Sequence, residues 1–298
     1  MKSPGKTKEN ALDPVIQIVD VFGAESFSGN PLAVIMGADA LETDEMQRLA
    51  RWFNLSETTF VLSPTHPSAD YRVRIFSLQR ELPFAGHPTL GSCHAWLSTG
   101  RKPMNEAHIV QECGAGLVTV GRDQGRLCFA APSLIRYGAP SREELNEAVQ
   151  LLQIDPRDVV DAAWVDNGPG WLGIRLVSAE QVLALQPAQS WPRRIDVGVV
   201  GPHSGGEIAF EVRAFFSNHS GAIVEDPVTG SLNASLAQWL FDAGLVEQAY
   251  VAAQGTRLGR KGRVHVRRDD AGQIWIGGET RTQVEGRLQG LFLNQPLD

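Results

Sequence analysis

An internal repeat limits what this chain can fold into more than any other feature of its sequence. Residues 71–76 (YRVRIF) and 210–215 (FEVRAF) begin 139 positions apart, and both alternate in the manner of β-strands. Each segment precedes a glycine turn and a run of small residues that contains Trp-Leu, at 86–100 and 230–244. These runs are predicted to be helices. We therefore expect two copies of one folded unit.

The other segments follow the same order in both halves: a strand, a short helix, further strands, the glycine turn, the small-residue helix and final strands. Small residues let sheet and helix backbones approach closely, which predicts a curved sheet wrapped around this helix. Residues 141–152 are predicted to form an additional amphipathic helix, because Ser141 and Glu144 match a capping box. A cleft between two copies is a common place for a small-molecule site.

The length of 298 residues is enough for two domains that each bury a core. We predict a disordered tail at 1–12, a first domain at 13–133 and a second domain at 134–283. Residues 284–298 are predicted to complete the first domain. The polar tail is followed by no apolar run typical of a signal peptide.

Composition argues against several classes of protein. With 27 Lys and Arg against 34 Asp and Glu, the net charge is −7, which favours neither nucleic acid nor anionic membranes as partners. Three cysteines without a C-x-x-C pair suggest neither a disulfide framework nor a cysteine-based zinc site. No apolar run approaches the roughly 18–20 residues of a membrane span. We expect a cytoplasmic protein.

The two glycine turns are the best candidates for a functional site. Pro88 is suited to be the first residue of the first helix, so unpaired backbone N–H groups would point out of the turn at Gly86 and His87. The turn before Gly230 offers the same groups to an anion. Two such ends facing each other could hold a carboxylate and stabilise a neighbouring carbanion or enolate. Plain helix starts are the alternative for either turn alone.

Single residues in these turns carry less information. His87 alone is more often a structural histidine than a catalytic one, and Asp226 alone is more often a helix cap than a proton carrier. His87 and His94 share a helix face, but no third ligand accompanies them, so no metal is expected. From its spacing alone, Glu57 is predicted to be an exposed charge at the start of a strand.

Five separated motifs nevertheless resemble the phenazine-biosynthesis PhzF-like family. The resemblance extends from about residue 15 to about residue 290, and it includes the segments 166–171, 254–255 and 277–278. The five motifs are Asp-Val-Phe at 20–22, Phe-Ser-Gly-Asn-Pro-Leu-Ala-Val at 27–34, Ser-Glu-Thr at 56–58, Glu-Leu-Pro-Phe-Ala-Gly-His-Pro-Thr at 81–89 and Glu-Asp-Pro-Val-Thr-Gly-Ser at 225–231.

The resemblance implies an α+β fold like that of diaminopimelate epimerase. In this fold two similar domains each wrap a curved, mostly antiparallel β-sheet around a central α-helix, and the active site lies in the interdomain cleft. It also implies a homodimer and no organic cofactor. By position, Glu57 matches the acid/base glutamate of the family. The other matching residues are catalytic His87 and Asp226, and the substrate-binding residues Gly86, Gly230 and Ser231.

These residues predict a cofactor-independent isomerase that moves a proton within a small carboxylate-bearing metabolite. Related epimerases use two cysteines beside the helix N-termini, and here Ala85 and Val228 stand at about those places, so a two-thiol mechanism is disfavoured. One alternative is a one-base epimerase of an amino or hydroxy acid. Another is a metabolite-binding or regulatory protein without catalysis. The substrate and pathway stay open at this point.

Overall fold

The computed structural model describes residues 14–289, and the predicted tail at 1–12 lies outside them. In that part of the chain the protein is mixed α/β, mostly strands with five α-helices. Eighteen strands join in one continuous sheet. No helix in this range is long and apolar enough to cross a membrane.

We call residues 14–133 the first half and residues 134–289 the second half. The first half contains β1 (Val15–Val21), β2 (Asn30–Met36), α1 (Thr43–Phe53), β3 (Glu57–Leu62), β4 (Tyr71–Ser77), β5 (Glu81–Leu82), α2 (Gly86–Ser98), β6 (Ile109–Cys113), β7 (Gly116–Asp123) and β8 (Arg126–Ala130). The second half contains β9 (Arg136–Gly138), α3 (Arg142–Leu152), β10 (Val159–Asp166), β11 (Trp171–Leu176), α4 (Ala179–Ala184), β12 (Asp196–Pro202), β13 (Phe210–Ser217), β14 (Ile223–Asp226), α5 (Gly230–Asp242), β15 (Tyr250–Gln254), β16 (Gly262–Arg268), β17 (Ile274–Gly278) and β18 (Thr280–Arg287).

The predicted repeat is confirmed by the strand pairing. In the first half β1 and β2 are antiparallel, β2 and β3 parallel, β3 and β4 antiparallel, and β4 and β6 parallel. In the second half β10 to β13 and β15 repeat this order of directions. The helix predicted between the halves is also confirmed, since α3 begins after Ser141 with the expected capping box.

The halves exchange strands where they join. Strands β8 and β17 hold equivalent places in the two halves and pair with each other antiparallel. The chain then crosses over in both cases: β9 follows β8 but pairs with β10, and β18 follows β17 but pairs with β1. Strand β9 thus follows β8 of the first half but borders the sheet of the second half. Strand β18 follows β17 but borders the sheet of the first half. The domain boundaries given above stay a prediction.

Helices α2 and α5 are buried along most of their length. The first-half strands β1 to β4 and β6 to β8 contact α2, and β10, β11, β16 and β17 contact α5. Both helices end as predicted, because Gly100 and Gly244 adopt positive φ angles of 81° and 67° just beyond them. The predicted start was wrong by two residues: α2 begins at Gly86, and Pro88 is its third residue. Proline is tolerated there because first-turn N–H groups have no acceptor within the helix.

Candidate active site

The N-termini of α2 and α5 touch at Gly86 and Gly230. A Cβ atom added to Gly86 would lie 3.0 Å from the Cα of Gly230, and one added to Gly230 would lie 3.0 Å from the Cα of Gly86. Only glycine allows this approach. Neither N-cap residue, Ala85 or Thr229, closes its helix with a side-chain hydrogen bond. The positive ends of two helices therefore meet at one place, where free backbone N–H groups can bind an anion.

Three residues predicted to be catalytic lie together beside this junction. Glu57 is the first residue of β3, His87 is the second residue of α2, and Asp226 is the last residue of β14. His87 Nε2 lies 3.5 Å from Glu57 Oε2. Asn30 connects the other two groups, because its Nδ2 lies 3.5 Å from His87 Nδ1 and 3.3 Å from Asp226 Oδ1. The catalytic roles of these residues stay a prediction.

Asn30 is a site residue that sequence reasoning did not single out. It is fully buried at the start of β2, and its Nδ2 also donates to the carbonyl oxygen of Val228 at 2.9 Å. Its amide therefore ties the first half to the loop before α5. Asn30 lies inside the motif at 27–34, which could have pointed to it. The spacing of an asparagine at the start of a strand does not by itself indicate a role in a site.

Asp20 shapes the loop that carries Asn30. Its side chain is buried, and its two carboxyl oxygens accept hydrogen bonds from the backbone N–H groups of Ser28 at 3.1 Å and Gly29 at 2.8 Å. Both donors come directly before Asn30 in the chain. Loss of the Asp20 carboxylate would leave these buried donors unpaired, so Asp20 supports the site without being part of it.

Burial sets the protonation of the three side chains. Burial and, to a lesser extent, the negative charge of Asp226 together raise the pKa of Glu57 from 4.5 to about 8. Burial also raises the pKa of Asp226 to about 6, although hydrogen bonds from Thr229 and Asn30 oppose this. Burial lowers the pKa of His87 to about 3. Near pH 7 the site therefore holds one proton on Glu57, a charged Asp226 and a neutral imidazole.

The neighbours of His87 indicate which ring nitrogen carries its proton. The carbonyl oxygen of Val228 can only accept, so the Asn30 atom bonded to it is the amide nitrogen. That nitrogen is a donor facing His87 Nδ1. Nδ1 is then the unprotonated nitrogen, and Nε2 carries the hydrogen. Nε2 is buried without a hydrogen-bond partner and lies on the side of Glu57, so it is available to a ligand.

Ser231, predicted to bind substrate, faces different neighbours. Its Oγ accepts a hydrogen bond from Trp171 Nε1 at 3.1 Å, and its carbonyl oxygen accepts one from Asn167 Nδ2 at 3.0 Å. Within residues 14–289 it forms no hydrogen bond to Glu57, His87 or Asp226. Its place in the first turn of α5 still puts its backbone N–H group at the helix end.

The cysteines lie away from both helix N-termini. Cys93 is in the middle of α2, Cys113 ends β6, and Cys128 is in β8. Burial raises the pKa of Cys93 to about 12 and that of Cys128 to about 11, so both are thiols at neutral pH. Among the described residues no group of three His, Cys, Asp or Glu side chains could hold a metal ion.

Comparison with known proteins identifies a family. The model of the phenazine biosynthesis-like protein family, PhzC-PhzF, matches residues 19–287. The chain is 34% identical to antisense-enhancing sequence 1 of Schizosaccharomyces pombe, over 90% of this chain and 96% of that protein. It is 35% identical to an uncharacterized isomerase of Pasteurella multocida, over 88% of this chain and 89% of that protein. It is 30% identical to trans-2,3-dihydro-3-hydroxyanthranilate isomerase of Pseudomonas aeruginosa, over 91% of this chain and 97% of that protein.

Solved structures show the same relationship. A PhzF-family phenazine biosynthesis protein of Enterococcus faecalis superimposes with a TM-score of 0.75 at 25% identity, covering 93% of this chain and 99% of that one. A hydroxyproline epimerase of Agrobacterium vitis shares the fold with a TM-score of 0.57 at 13% identity, covering 95% and 94%. The chain therefore belongs to the phenazine biosynthesis-like family, PhzC-PhzF, and the protein is an isomerase of that family.

Proposed function

We propose that the protein is a cofactor-independent isomerase that moves a proton between two atoms of a small carboxylate-bearing metabolite. One observation carries the proposal: a cluster of buried His87 with partly buried Glu57 and Asp226 lies beside two touching helix N-termini. The relative from Pseudomonas aeruginosa supports a carboxylate substrate, since its name describes an isomerase of a hydroxyanthranilate.

We also propose two diaminopimelate-epimerase-like domains, 13–133 and 134–283, with the site between them, and a homodimer.

The helix N-termini supply the electrostatic part of this function. A substrate carboxylate bound to the N–H groups at Gly86 and Gly230 would be fixed in place by both helices. When a C–H proton next to that carboxylate leaves, the negative charge spreads into an enolate-like system held by the same donors. Preorganised donors of this kind stabilise developing charge without reorganisation, which is often the largest catalytic contribution.

Glu57 is the proposed proton carrier. A general base works best with a pKa near the working pH, and the pKa of about 8 meets this condition. Roughly a tenth of Glu57 is ionised at pH 7 and can accept the C–H proton. The resulting neutral acid returns the proton to a second carbon. Asp226 keeps Glu57 basic through its negative charge. His87 would donate a hydrogen bond from Nε2 to the bound substrate as a neutral imidazole, since its pKa of about 3 makes a charged imidazolium costly.

Incubation with candidate carboxylates in heavy water tests the proposal, with ¹H and ²H NMR of the recovered compounds. The proposed isomerase would shift a double bond or functional group. The new C–H bond would carry either the hydrogen that Glu57 returned or deuterium that Glu57 had first exchanged with the solvent. Deuterium at one carbon with inversion there would replace the proposal by a one-base epimerase. A carboxylate that binds but is neither isomerised nor deuterated would favour a metabolite-binding protein instead.

A further inference from the structure

Gln254, the last residue of β15, is fully buried behind the loop that leads into α5. Its Oε1 accepts hydrogen bonds from the backbone N–H of Thr229 at 3.0 Å and from Asn233 Nδ2 at 2.8 Å. Its Nε2 donates to the carbonyl oxygen of Asp226 at 3.1 Å and to Thr229 Oγ1 at 2.8 Å. All the hydrogen-bonding capacity of this amide is therefore used on the segment from Asp226 to Asn233.

The backbone partners give these hydrogen bonds a direction. A backbone N–H can only donate and a backbone carbonyl can only accept, so the oxygen and nitrogen of the Gln254 amide are distinguished. Because Nε2 donates to Thr229 Oγ1, the single hydrogen of that hydroxyl is free for another acceptor. Thr229 Oγ1 donates it to Asp226 Oδ2 at 2.5 Å. Asp226 Oδ2 is therefore held as an acceptor, and Oδ1 also accepts a hydrogen bond, from Asn30 Nδ2 at 3.3 Å.

We propose that Gln254 is a positioning residue that acts through the Thr229 hydroxyl to keep Asp226 an ionised hydrogen-bond acceptor beside Glu57. The meaning of this for catalysis rests on the proposed function, while the hydrogen bonds themselves do not. The buried pair of carboxyl groups then keeps its shared proton on Glu57, the proposed proton carrier. Without the directed hydroxyl, Asp226 would compete for that proton.

Other charged or titratable groups also act on Asp226. Glu57 faces it from β3, and the neighbouring Glu225 raises its pKa but is paired with Arg213 at 2.7 Å. His87 of α2 reaches it only through Asn30. None of these groups is bonded to Gln254, so replacement of Gln254 changes the donor to Asp226 and leaves the surrounding charges as they are.

The other half of the molecule supplies a matched control. Gln111 in β6 is also fully buried and bonds to the first turns of α2: its Nε2 donates to Thr89 Oγ1 at 3.0 Å, and its Oε1 accepts from Tyr71 Oη at 3.0 Å. Thr89 Oγ1 then donates to the carbonyl oxygen of Ala85 at 2.9 Å. On the α2 side this chain of hydrogen bonds ends on the backbone, and it reaches no carboxyl group.

Carboxyl ¹³C NMR titration of the substrate-free protein, labelled in aspartate, tests the proposal. We expect the midpoint of Asp226 to rise by about one pH unit in Thr229→Val, because the ionised form loses its hydroxyl donor. It should rise by up to that amount in Gln254→Met, because the Thr229 hydroxyl is no longer held towards Asp226. Thr229→Ser keeps the hydroxyl, and Gln111→Met removes the equivalent amide hydrogen bonds in the other half, so both should leave the midpoint where it is. In a Thr229→Val background, Gln254→Met should add no further shift.

Three results would overturn this role of Gln254. They are an Asp226 midpoint that moves no further in Gln254→Met than in Gln111→Met, an unchanged midpoint in Thr229→Val, and a further shift in the double variant. If Gln254→Met does not fold, the Thr229→Val and Thr229→Ser pair decides. The titration needs no substrate, so it stands whether or not the proposed isomerase activity is found. That activity is tested separately by exchange in heavy water.

Discussion

The repeat places a carboxylate at the same point in both halves, and the two differ in their neighbours. Glu57 begins β3 opposite Ser77, and Asp196 begins β12 opposite Phe216, the position that matches Ser77 in the repeat. Asp196 forms an ion pair with Arg194 at 3.0 Å. Glu57 has no Lys or Arg partner among the described residues and lies near Asp226 instead. The fold supplies a buried carboxylate twice, and the absence of a neutralising cation separates the proposed proton carrier from its structural counterpart.

The largest expected effect is the loss of activity in Glu57→Gln. The amide keeps the shape of the side chain but cannot carry a proton, so turnover should fall by about a thousandfold or more. Asp196→Asn is the matched control and should stay within a few-fold of the wild type. The measurement is the rate of conversion of a substrate, followed by ¹H NMR. Equal losses in the two variants would remove the functional difference between the two carboxylates.

A second prediction concerns the junction of the helices. Gly86→Ala would place a Cβ atom 2.7 Å from Phe129 Cζ and 3.0 Å from Gly230 Cα, which forces the helix ends apart. A misplacement of about 1 Å can lower activity about a hundredfold. Gly100→Ala, at the far end of α2, meets no atom within 4 Å and should cost only about 1 kcal/mol of stability. Similar activity in both variants would show that contact between the helix ends is dispensable.

The raised pKa of Glu57 also predicts a pH-dependent cost in stability. The native state holds the Glu57 proton more tightly than the unfolded state, so stability is lost as pH rises from about 4.5 to about 8. Glu57→Gln should therefore stabilise the protein by up to about 4–5 kcal/mol at pH 8.5 and by little at pH 4.5, as measured by urea unfolding. Asp196→Asn should gain less, because the variant also loses the ion pair with Arg194. The same gain at both pH values would contradict a buried, protonated Glu57.

The smallest effect should appear in the pH dependence of the reaction. If ionised Glu57 takes the C–H proton, kcat/KM should rise about tenfold per pH unit below its pKa of about 8 and level off above it. Asp196→Asn should leave this midpoint unchanged, since its carboxylate belongs to the other half. Initial rates from about pH 6 to about pH 9 provide the measurement. A profile that falls through this range would assign Glu57 the role of an acid instead.

Local signals explain which features could be predicted from the sequence. The capping box at Ser141, the glycines that end α2 and α5, and the repeated strand at 71–76 and 210–215 depend on neighbouring residues, and all are present. The start of α2 was misplaced because Pro88 is acceptable at more than one position of a first helical turn.

Contacts between distant residues explain what could not be predicted. Asn30 and Gln254 matter because strands far apart in the chain bring them to the loop before α5. Both lie in segments that resemble the family, but nothing in those segments indicates these contacts. The equivalence of Glu57 and Asp196 depends on strand register and not on sequence similarity. The importance of Glu57 itself came from resemblance to a family, since its spacing indicated only an exposed charge.

The exchange of β9 and β18 has a consequence for how the protein is made. During synthesis β1 leaves the ribosome early, but the strand that covers its edge, Thr280–Arg287, is translated more than 250 residues later. Until then β1 presents an open edge, which is a site of mispairing in partly folded chains. The first half therefore cannot reach its final form as an independent nascent domain, and its maturation waits for the last strand of the sheet.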